Sequence, residues 1–172
     1  MIIVGYVGIG KTTASKMFRE VVDLPSTLFT DKSLYCDVAI ELSKQDLFVC
    51  VSSHEEVIRN LLKSDEQVCV VYPGEFLRPA WISLIRNRYL QDKTESNHKA
   101  LVRVCEHFKD DIDYLSNLPF DKIELNQGEF LSHKLVPGNP PEENIEETAD
   151  VLNDDIIPES ETIEKDENKD SE

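Results

Sequence analysis

The sequence predicts an α/β protein with a parallel sheet of about five strands and helices on both of its faces. Two continuous apolar runs, at residues 47–51 and 67–72, are joined through a helix-like segment, which is typical of buried parallel strands. A glycine-rich loop stands between an apolar first strand and a helix. Strands and helices alternate up to residue 135, so we expect one folded domain at 1–135 and a separate tail at 136–172.

The net charge of −16 is concentrated at the carboxyl end of the chain. Residues 136–172 hold 14 acidic and 2 basic residues, whereas residues 1–135 hold 20 acidic and 16 basic ones. The terminal segment has no aromatic residue and little apolar material to offset the entropy of ordering, so it is predicted to be a disordered, solubilising tail. Its short apolar pairs leave docking on another surface as the alternative. The anionic tail argues against nucleic acid as a partner.

The amino-terminal residues carry the most specific pattern of the chain. Residues 2–4 form a short β-branched run, and residues 5–12, GYVGIGKT, fit G-x-x-x-x-G-K-[ST] at every fixed position. Residues 13–19 contain no glycine or proline and predict the first turns of a helix. Strand, loop and helix in this order favour a phosphate-binding loop, or P-loop, over a glycine-rich turn without a ligand.

The residue types of this loop match the chemistry of a nucleoside triphosphate. Its glycines let several backbone N–H groups point at one anion, and the helix that follows adds its positive dipole end. Lys11 would contact the β- and γ-phosphates, and the Thr12 hydroxyl would contact Mg²⁺. We therefore expect ATP and Mg²⁺ as ligands, with the nucleotide bound by Gly5, Gly8, Ile9, Gly10, Lys11, Thr12 and Thr13 and the metal by Thr12.

The remaining chain alternates short apolar runs with segments of helical spacing. The pattern predicts, in order, a very short strand within residues 20–26, a helix over 32–44, a strand over 47–51, a helix through 57–62 with Ser53 as N-cap, a strand over 67–72, a helix from 79 to 88 that ends or breaks near Asp92, a periodic helix over 101–115, a strand over 122–125 and a short terminal segment over 130–135.

The cysteines and the hydropathy pattern point to a reduced compartment. The four cysteines lie far apart and form no C-x-x-C pair. No signal peptide is recognised and no apolar run is long enough to span a bilayer, so a cytoplasmic protein without a membrane partner is expected. Cys50 and Cys69 fall inside apolar strands and are predicted to be small core residues.

This order of elements resembles the small P-loop kinases that act on nucleosides and nucleoside monophosphates, and most of all the P-loop nucleotide kinase-like proteins of phage genomes. The resemblance covers residues 1–135, and its most specific part is GYVGIGKTT at residues 5–13. It implies a three-layer P-loop NTPase fold, a nucleoside or nucleotide as phosphoryl acceptor, and the host cytoplasm if the protein is phage-encoded.

The resemblance also implies roles outside the loop. Asp23 and Ser26 would lie where such kinases hold the acceptor, with Asp23 orienting or deprotonating a hydroxyl; an ordinary turn residue is the alternative. Arg86 and Arg88 match the lid arginines that clamp transferring phosphates, the alternative being a solvated helix face.

Two further positions follow from the same resemblance. His54 would lie at the carboxyl end of the third strand, where ligands bind in open α/β sheets, although packing at a helix cap is the preferred interpretation. Gln127 and Gly128 would form the loop that contacts a nucleobase.

Two classes of function are therefore open: a phosphotransferase, which we prefer, and a nucleotide-binding regulatory or interaction module with little or no catalysis. The intact Lys11–Thr12 pair favours the enzyme. The binding module is favoured by Ser52 standing where an acidic Mg²⁺-assisting residue is expected at the end of the third strand. It is also favoured by the two-residue spacing of Arg86 and Arg88, which does not put them on one side of a helix. Acceptor, base preference and oligomeric state are left open.

Overall fold

A computed structural model describes residues 1–135 of the chain. The predicted acidic tail, residues 136–172, lies outside the described residues, so its disorder stays a prediction. The described strands and helices are β1 (Ile2–Gly5), α1 (Lys11–Met17), β2 (Val21–Asp23), α2 (Lys32–Ser43), β3 (Phe48–Ser52), α3 (Glu55–Leu61), β4 (Val68–Pro73), α4 (Arg78–Gln91), α5 (Glu95–Ser116), β5 (Asp121–Leu125) and α6 (Leu131–Lys134).

The five strands form one sheet in the order β2-β3-β1-β4-β5, and every neighbouring pair is parallel. The central strand β1 places Ile3 opposite Cys50 of β3 on one side and opposite Cys69 of β4 on the other. Both cysteines are buried, as predicted, and burial raises the pKa of Cys50 to about 12 and that of Cys69 to about 11. The predicted α/β class and parallel pairing are confirmed.

The connections place helices on both faces of the sheet. The step from β1 to β2 runs in one direction across the sheet, whereas all later steps run in the other. Since parallel crossovers are right-handed, α1 lies on the face opposite to α2, α3 and α5. The packing agrees: α1 contacts α6, α2 contacts α3, and α4 contacts α5.

The same connectivity determines where a ligand can bind. β1 and β3 are neighbours, but the chain leaves their carboxyl ends in opposite directions. Such a switch point opens a crevice at the carboxyl edge of a parallel sheet, and ligands of open α/β sheets bind there. The residues that follow β1, β2 and β3 all reach this edge.

The structure corrects the sequence prediction at two helix starts. The predicted N-cap Ser53 is wrong: α3 begins at Glu55, because the backbone stays extended through His54, which is the N-cap and makes no side-chain capping hydrogen bond. Helix α5 begins at Glu95, before the apolar period that predicts it, because Thr94 caps a polar first turn by accepting a hydrogen bond from the Asn97 N–H. Two single 3-10 turns, Ser26–Leu28 and Glu75–Leu77, had no sequence signal.

Within residues 1–135, none of the helices has both the length and the hydropathy of a membrane-spanning helix.

Candidate phosphate-binding site

The glycine loop between β1 and α1 has the backbone of an anion cradle. Gly8 and Gly10 have φ values of 88° and 91°, in the left-handed region that glycine adopts without a steric penalty. The backbone N–H groups of Gly8, Ile9 and Gly10 have no hydrogen-bond acceptor among the described residues. Three consecutive free donors in a glycine loop are suited to an anion with several oxygen atoms.

Because Gly5 has no side chain, the side chain of Lys11 can pass close to it. A Cβ atom built at Gly5 would lie 2.5 Å from the Ile9 Cδ1 and 2.9 Å from the Lys11 Cδ. Lys11 therefore folds back over the loop, where its Nζ donates to the carbonyl oxygens of Gly5, at 2.9 Å, and Tyr6, at 3.3 Å.

The charge of Lys11 lies among those of two other predicted site residues. Burial lowers the pKa of Lys11, the Asp23 carboxylate opposes this, and the positive charge of Arg88 lowers the pKa further. Lys11, Asp23 and Arg88 thus share one electrostatic neighbourhood, although they come from α1, β2 and α4. An anion bound here would favour the charged ammonium again.

Asp23 ends β2 and contacts the loop directly. The Thr12 hydroxyl donates a hydrogen bond of 2.5 Å to the Asp23 Oδ2. β2 and β1 are separated by β3 in the sheet, so the register of three strands brings this pair together. An acidic group, which the end of β3 lacks, is thus supplied from β2.

Tyr35 of α2 holds the ends of β2 and β3 together. Its buried hydroxyl donates to the Leu24 carbonyl oxygen at 2.7 Å and accepts from the Ser52 N–H at 3.1 Å. The Leu24 N–H also donates to the Cys50 carbonyl oxygen at 3.0 Å. These hydrogen bonds hold the end of β2, and with it Asp23, against the end of β3. The sequence gives no sign of this role of Tyr35 apart from its position in a segment of helical spacing.

Helix α4 packs on the loop and separates the two predicted arginines. The Trp81 Nε1–H donates to the Val7 carbonyl oxygen at 2.7 Å, and Trp81 and Ile85 are buried. Arg88 lies one turn after Ile85 on this face, whereas Arg86 is rotated by about 100° from Ile85. Both arginines are exposed, and the positive charge of Arg88 is among the causes that lower the pKa of Lys11.

Helix α6 closes the other side of the loop. The Leu131 N–H donates to the Ile9 carbonyl oxygen at 2.8 Å, and a Cβ at Gly10 would lie 3.5 Å from the Phe130 Cβ. The rings of Phe130 and Trp81 lie 6.4 Å apart. Gln127 and Gly128, the predicted nucleobase contacts, are exposed in the turn that precedes this helix.

Cationic groups surround the other predicted residues at the carboxyl edge. His54 is exposed by its accessible surface, and its pKa is lowered first by partial desolvation and then by the positive charges of Arg103, Lys32 and Lys11. Ser26 begins a 3-10 turn whose carbonyl oxygen accepts from the Lys32 Nζ at 2.9 Å. Arg103 lies on α5 and had no sequence signal, because its position in a periodic helix is that of an ordinary boundary residue.

The Thr12 hydroxyl and the Asp23 carboxylate are oxygen groups of the type that Mg²⁺ prefers. Within residues 1–135 there is no cluster of three or more His, Cys, Asp or Glu side chains that could hold a metal. A hydroxyl and a carboxylate in contact supply hard oxygen ligands, and Mg²⁺ keeps several waters when it binds with few protein ligands.

No protein-family model matches the chain, and no curated protein or solved structure matches it either. The functional interpretation therefore depends on the geometry of the site.

Proposed function

We propose that residues 1–135 form a three-layer P-loop NTPase domain, and that the protein transfers the γ-phosphoryl group of ATP to a nucleoside or nucleotide. The observation that carries this proposal is the 2.5 Å contact between the Thr12 hydroxyl and the Asp23 carboxylate beside a loop of free N–H donors. The contact joins a triphosphate cradle to an acidic group, and an anion-binding turn alone would not need the second part.

The position of the loop supports the fold assignment. The loop follows the central strand β1, which has a parallel neighbour on each side, and it leads directly into α1. This is the strand–loop–helix setting in which G-x-x-x-x-G-K-[ST] binds phosphates. Free loop donors, the Lys11 ammonium and Arg88 would together bind the phosphate chain of ATP.

Thr12 and Asp23 would hold Mg²⁺, which, when bound, neutralises charge on the β- and γ-phosphate oxygens. The Asp23 Oδ1 accepts no hydrogen bond from a described residue, so it remains available to orient or deprotonate an acceptor hydroxyl. Arg88 would stabilise the charge on the transferring group through its guanidinium fork. In-line transfer of this kind depends on positioning and charge neutralisation and needs no covalent intermediate.

A nucleotide-binding module with little or no catalysis is the second candidate. β3 ends at Ser52 without an acidic residue, and Arg86 does not share the face of α4 that carries Arg88. In this case Lys11 and the loop would bind ATP with the same geometry, but no acceptor would be phosphorylated.

Lys11→Ala tests the phosphate site. The only tryptophan of the chain, Trp81, donates to the loop, so its fluorescence is a suitable reporter of ATP binding. Loss of a charge-assisted contact should weaken ATP·Mg²⁺ binding by about tenfold to a hundredfold while the melting temperature stays similar. Lys16→Ala, on the exposed side of the same helix, is the control and should bind ATP normally. Unchanged ATP affinity in Lys11→Ala would contradict the assignment.

The same preparation separates the two candidate functions. Wild-type protein with ATP and Mg²⁺ is assayed for ADP formation, alone and with a panel of nucleosides and nucleoside monophosphates. Acceptor-dependent ADP formation is expected of a kinase. Tight ATP binding without ADP formation for any acceptor would instead identify the binding module.

A further inference from the structure

Strand β5 leaves one backbone edge of the sheet without a partner among the described residues. It pairs with β4 on one side, and its other side is an edge of the five-stranded sheet. Among the elements of residues 1–135, β5 makes extensive contact with β4 alone. Asp121, Lys122 and Glu124 of this strand are exposed. An open edge of this kind is able to pair with a further strand.

The hydrogen bonds to β4 determine which backbone groups of β5 point outward. The Gly74 N–H donates to the Leu125 carbonyl oxygen at 3.1 Å, so the backbone groups of Leu125 face β4. Successive residues of a strand direct their backbone groups to opposite sides, and those of Lys122 and Glu124 therefore point away from the sheet. These N–H and C=O groups form no hydrogen bond with another described residue.

The side chains of the same two residues carry opposite charges. Lys122 and Glu124 lie two positions apart, on one face of the strand. Neither forms an ion pair within residues 1–135, and the Lys122 Nζ donates to the Phe120 carbonyl oxygen at 3.0 Å. Ile123, which is half-buried, lies between them at the centre of the strand. A basic and an acidic residue thus flank a central apolar residue symmetrically.

One register lets this edge pair with a second copy of itself. In an antiparallel pair with a two-fold axis at Ile123, Lys122 of each copy lies opposite Glu124 of the other. Because both residues direct their backbone groups outward, each such pair can form both of its N–H···O=C bonds, and it also joins opposite charges. An axis at Lys122 or at Glu124 would place like charges face to face. A shift by one residue would mispair the backbone groups.

An exposed aromatic residue adds apolar surface at the same edge. Phe76 is 66% exposed and belongs to the 3-10 turn that follows β4. A Cβ built at Gly74 would lie 2.6 Å from the Phe76 Cε1 and 2.8 Å from the Glu124 Oε1, so the ring and the carboxylate are neighbours. The aliphatic part of Lys122 from a second copy, paired with Glu124, would lie beside this ring.

We propose that the protein forms a two-fold symmetric dimer in which the β5 edges of two copies pair antiparallel about Ile123 and join the two sheets into one. The partner is a second copy of this chain, because the charge pattern of the strand is complementary to itself. Strand direction reverses across the axis, so the candidate phosphate-binding sites of the two copies open at opposite edges of the joined sheet. The dimer does not depend on the proposed function.

Sedimentation of the full chain between about 10 µM and about 1 mM tests the dimer. A pair of short strands buries a small area, so we expect a weak dimer with a Kd of about 100 µM. A salt concentration near 0.15 M screens repulsion between the negatively charged chains beyond about 8 Å. The average mass should rise toward that of two chains with increasing concentration. The mass of one chain throughout would overturn the proposal and show that the charged residues keep the edge unpaired.

Charge reversal tests the register. Lys122→Glu should raise the Kd of the dimer about tenfold or more, because both cross-strand pairs then hold like charges, and Glu124→Lys should do the same. A mixture of the two variant proteins should associate as the wild type does, since every pair then joins opposite charges. The double variant Lys122→Glu/Glu124→Lys should dimerise by itself for the same reason.

Lys63→Glu is the matched control, because Lys63 is exposed after α3 and the change of charge is the same as in Lys122→Glu. It should dimerise as the wild type does. All these substitutions are at exposed side chains, so the melting temperatures should stay similar. Dimerisation that neither single reversal affects would overturn the proposal. Failure of the mixture and of the double variant to associate would reject the register.

Amide exchange in the wild type gives a readout without any substitution. The N–H groups of Lys122 and Glu124 gain acceptors only in the dimer, so they should exchange about threefold or more slowly at about 1 mM than at about 20 µM. The N–H of Ile123 faces β4 and should exchange at similar rates at both concentrations. A chain that dimerises with unchanged exchange at Lys122 and Glu124 would have its interface on another surface, which would overturn the proposal.

Discussion

Thr12 and Asp23 are 11 positions apart in the chain, and their side chains meet at 2.5 Å. Each residue type was expected at this edge of the sheet, but their contact was not. Through this contact the acidic group beside the loop comes from Asp23 at the end of β2, since β3 ends at Ser52. The position of Asp23 depends in turn on Tyr35, whose hydroxyl joins the Leu24 carbonyl to the Ser52 N–H.

Tyr35→Phe should therefore affect both stability and turnover. The substitution keeps the buried ring but leaves a carbonyl and an N–H without their partner, which costs about 1–3 kcal/mol of unfolding free energy. We expect the kcat of phosphoryl transfer to fall, because Asp23 is no longer held in position by these hydrogen bonds. ATP affinity should change little. Urea unfolding and steady-state kinetics measure the two effects.

Tyr114→Phe is the control for this substitution, because Tyr114 is 41% exposed and should give a change within about 0.5 kcal/mol. A Tyr35→Phe protein with wild-type stability and wild-type kcat would show that the hydroxyl does not brace Asp23.

At the scale of elements, the glycine loop is held between α4 and α6. Trp81 donates to the Val7 carbonyl from one side, and the Ile9 carbonyl accepts from the Leu131 N–H on the other. These contacts use carbonyl oxygens of the loop, so its backbone N–H groups are held in position without making hydrogen bonds to described residues. Sequence reasoning identified the loop and helix α4, and predicted residues 130–135 only as a short terminal segment. It did not show that α4 and α6 hold the loop between them, because these contacts join residues more than seventy positions apart.

Gly8→Ala tests this clamp, with Gly128→Ala as a matched control. Both glycines have positive φ values, 88° and 80°, so alanine at either position carries a backbone cost of about 1–2 kcal/mol. Only at Gly8 would the new Cβ meet helix α4, at 2.8 Å from the Ile85 Cδ1; at Gly128 nothing lies within 4 Å.

Gly8→Ala should therefore lower ATP affinity by about tenfold or more, because the loop must shift from α4. Gly128→Ala carries the same backbone cost without this shift and should lower ATP affinity less, even though Gly128 is a predicted nucleobase contact. Fluorescence titration with ATP measures the difference. The same ATP affinity in the two variants would mean that contact with α4 does not hold the loop in its binding conformation.

At the scale of the whole molecule, one sheet order explains the location of every candidate group. The order β2-β3-β1-β4-β5 brings the ends of β1, β2 and β3 to one edge. There the charge of Arg88 of α4 lowers the pKa of Lys11, and that of Arg103 of α5 lowers the pKa of His54. The charge distribution is uneven as well. Residues 1–135 carry a net charge of only −4, whereas residues 136–172 carry −12 of the net −16.

Deletion of residues 136–172 tests the predicted separation of domain and tail. The composition of this segment offers little apolar surface to bury, so the truncated protein should melt within about 2 °C of the full chain. Calorimetry at high salt, which screens long-range repulsion from the tail charge, is the suitable measurement. A fall of many degrees would show that the segment contributes to the folded structure.

The sequence by itself determined the α/β class, the parallel sheet, most helices and strands, and the glycine-rich loop motif of residues 5–12. These features are local: apolar runs, helical spacing and glycine positions act over a few residues. Only the tertiary structure decided that Asp23 meets Thr12, that Tyr35 joins the ends of β2 and β3, and that Trp81 donates to the glycine loop. Each of these contacts joins distant parts of the chain through strand order and helix packing, and no local pattern specifies such contacts.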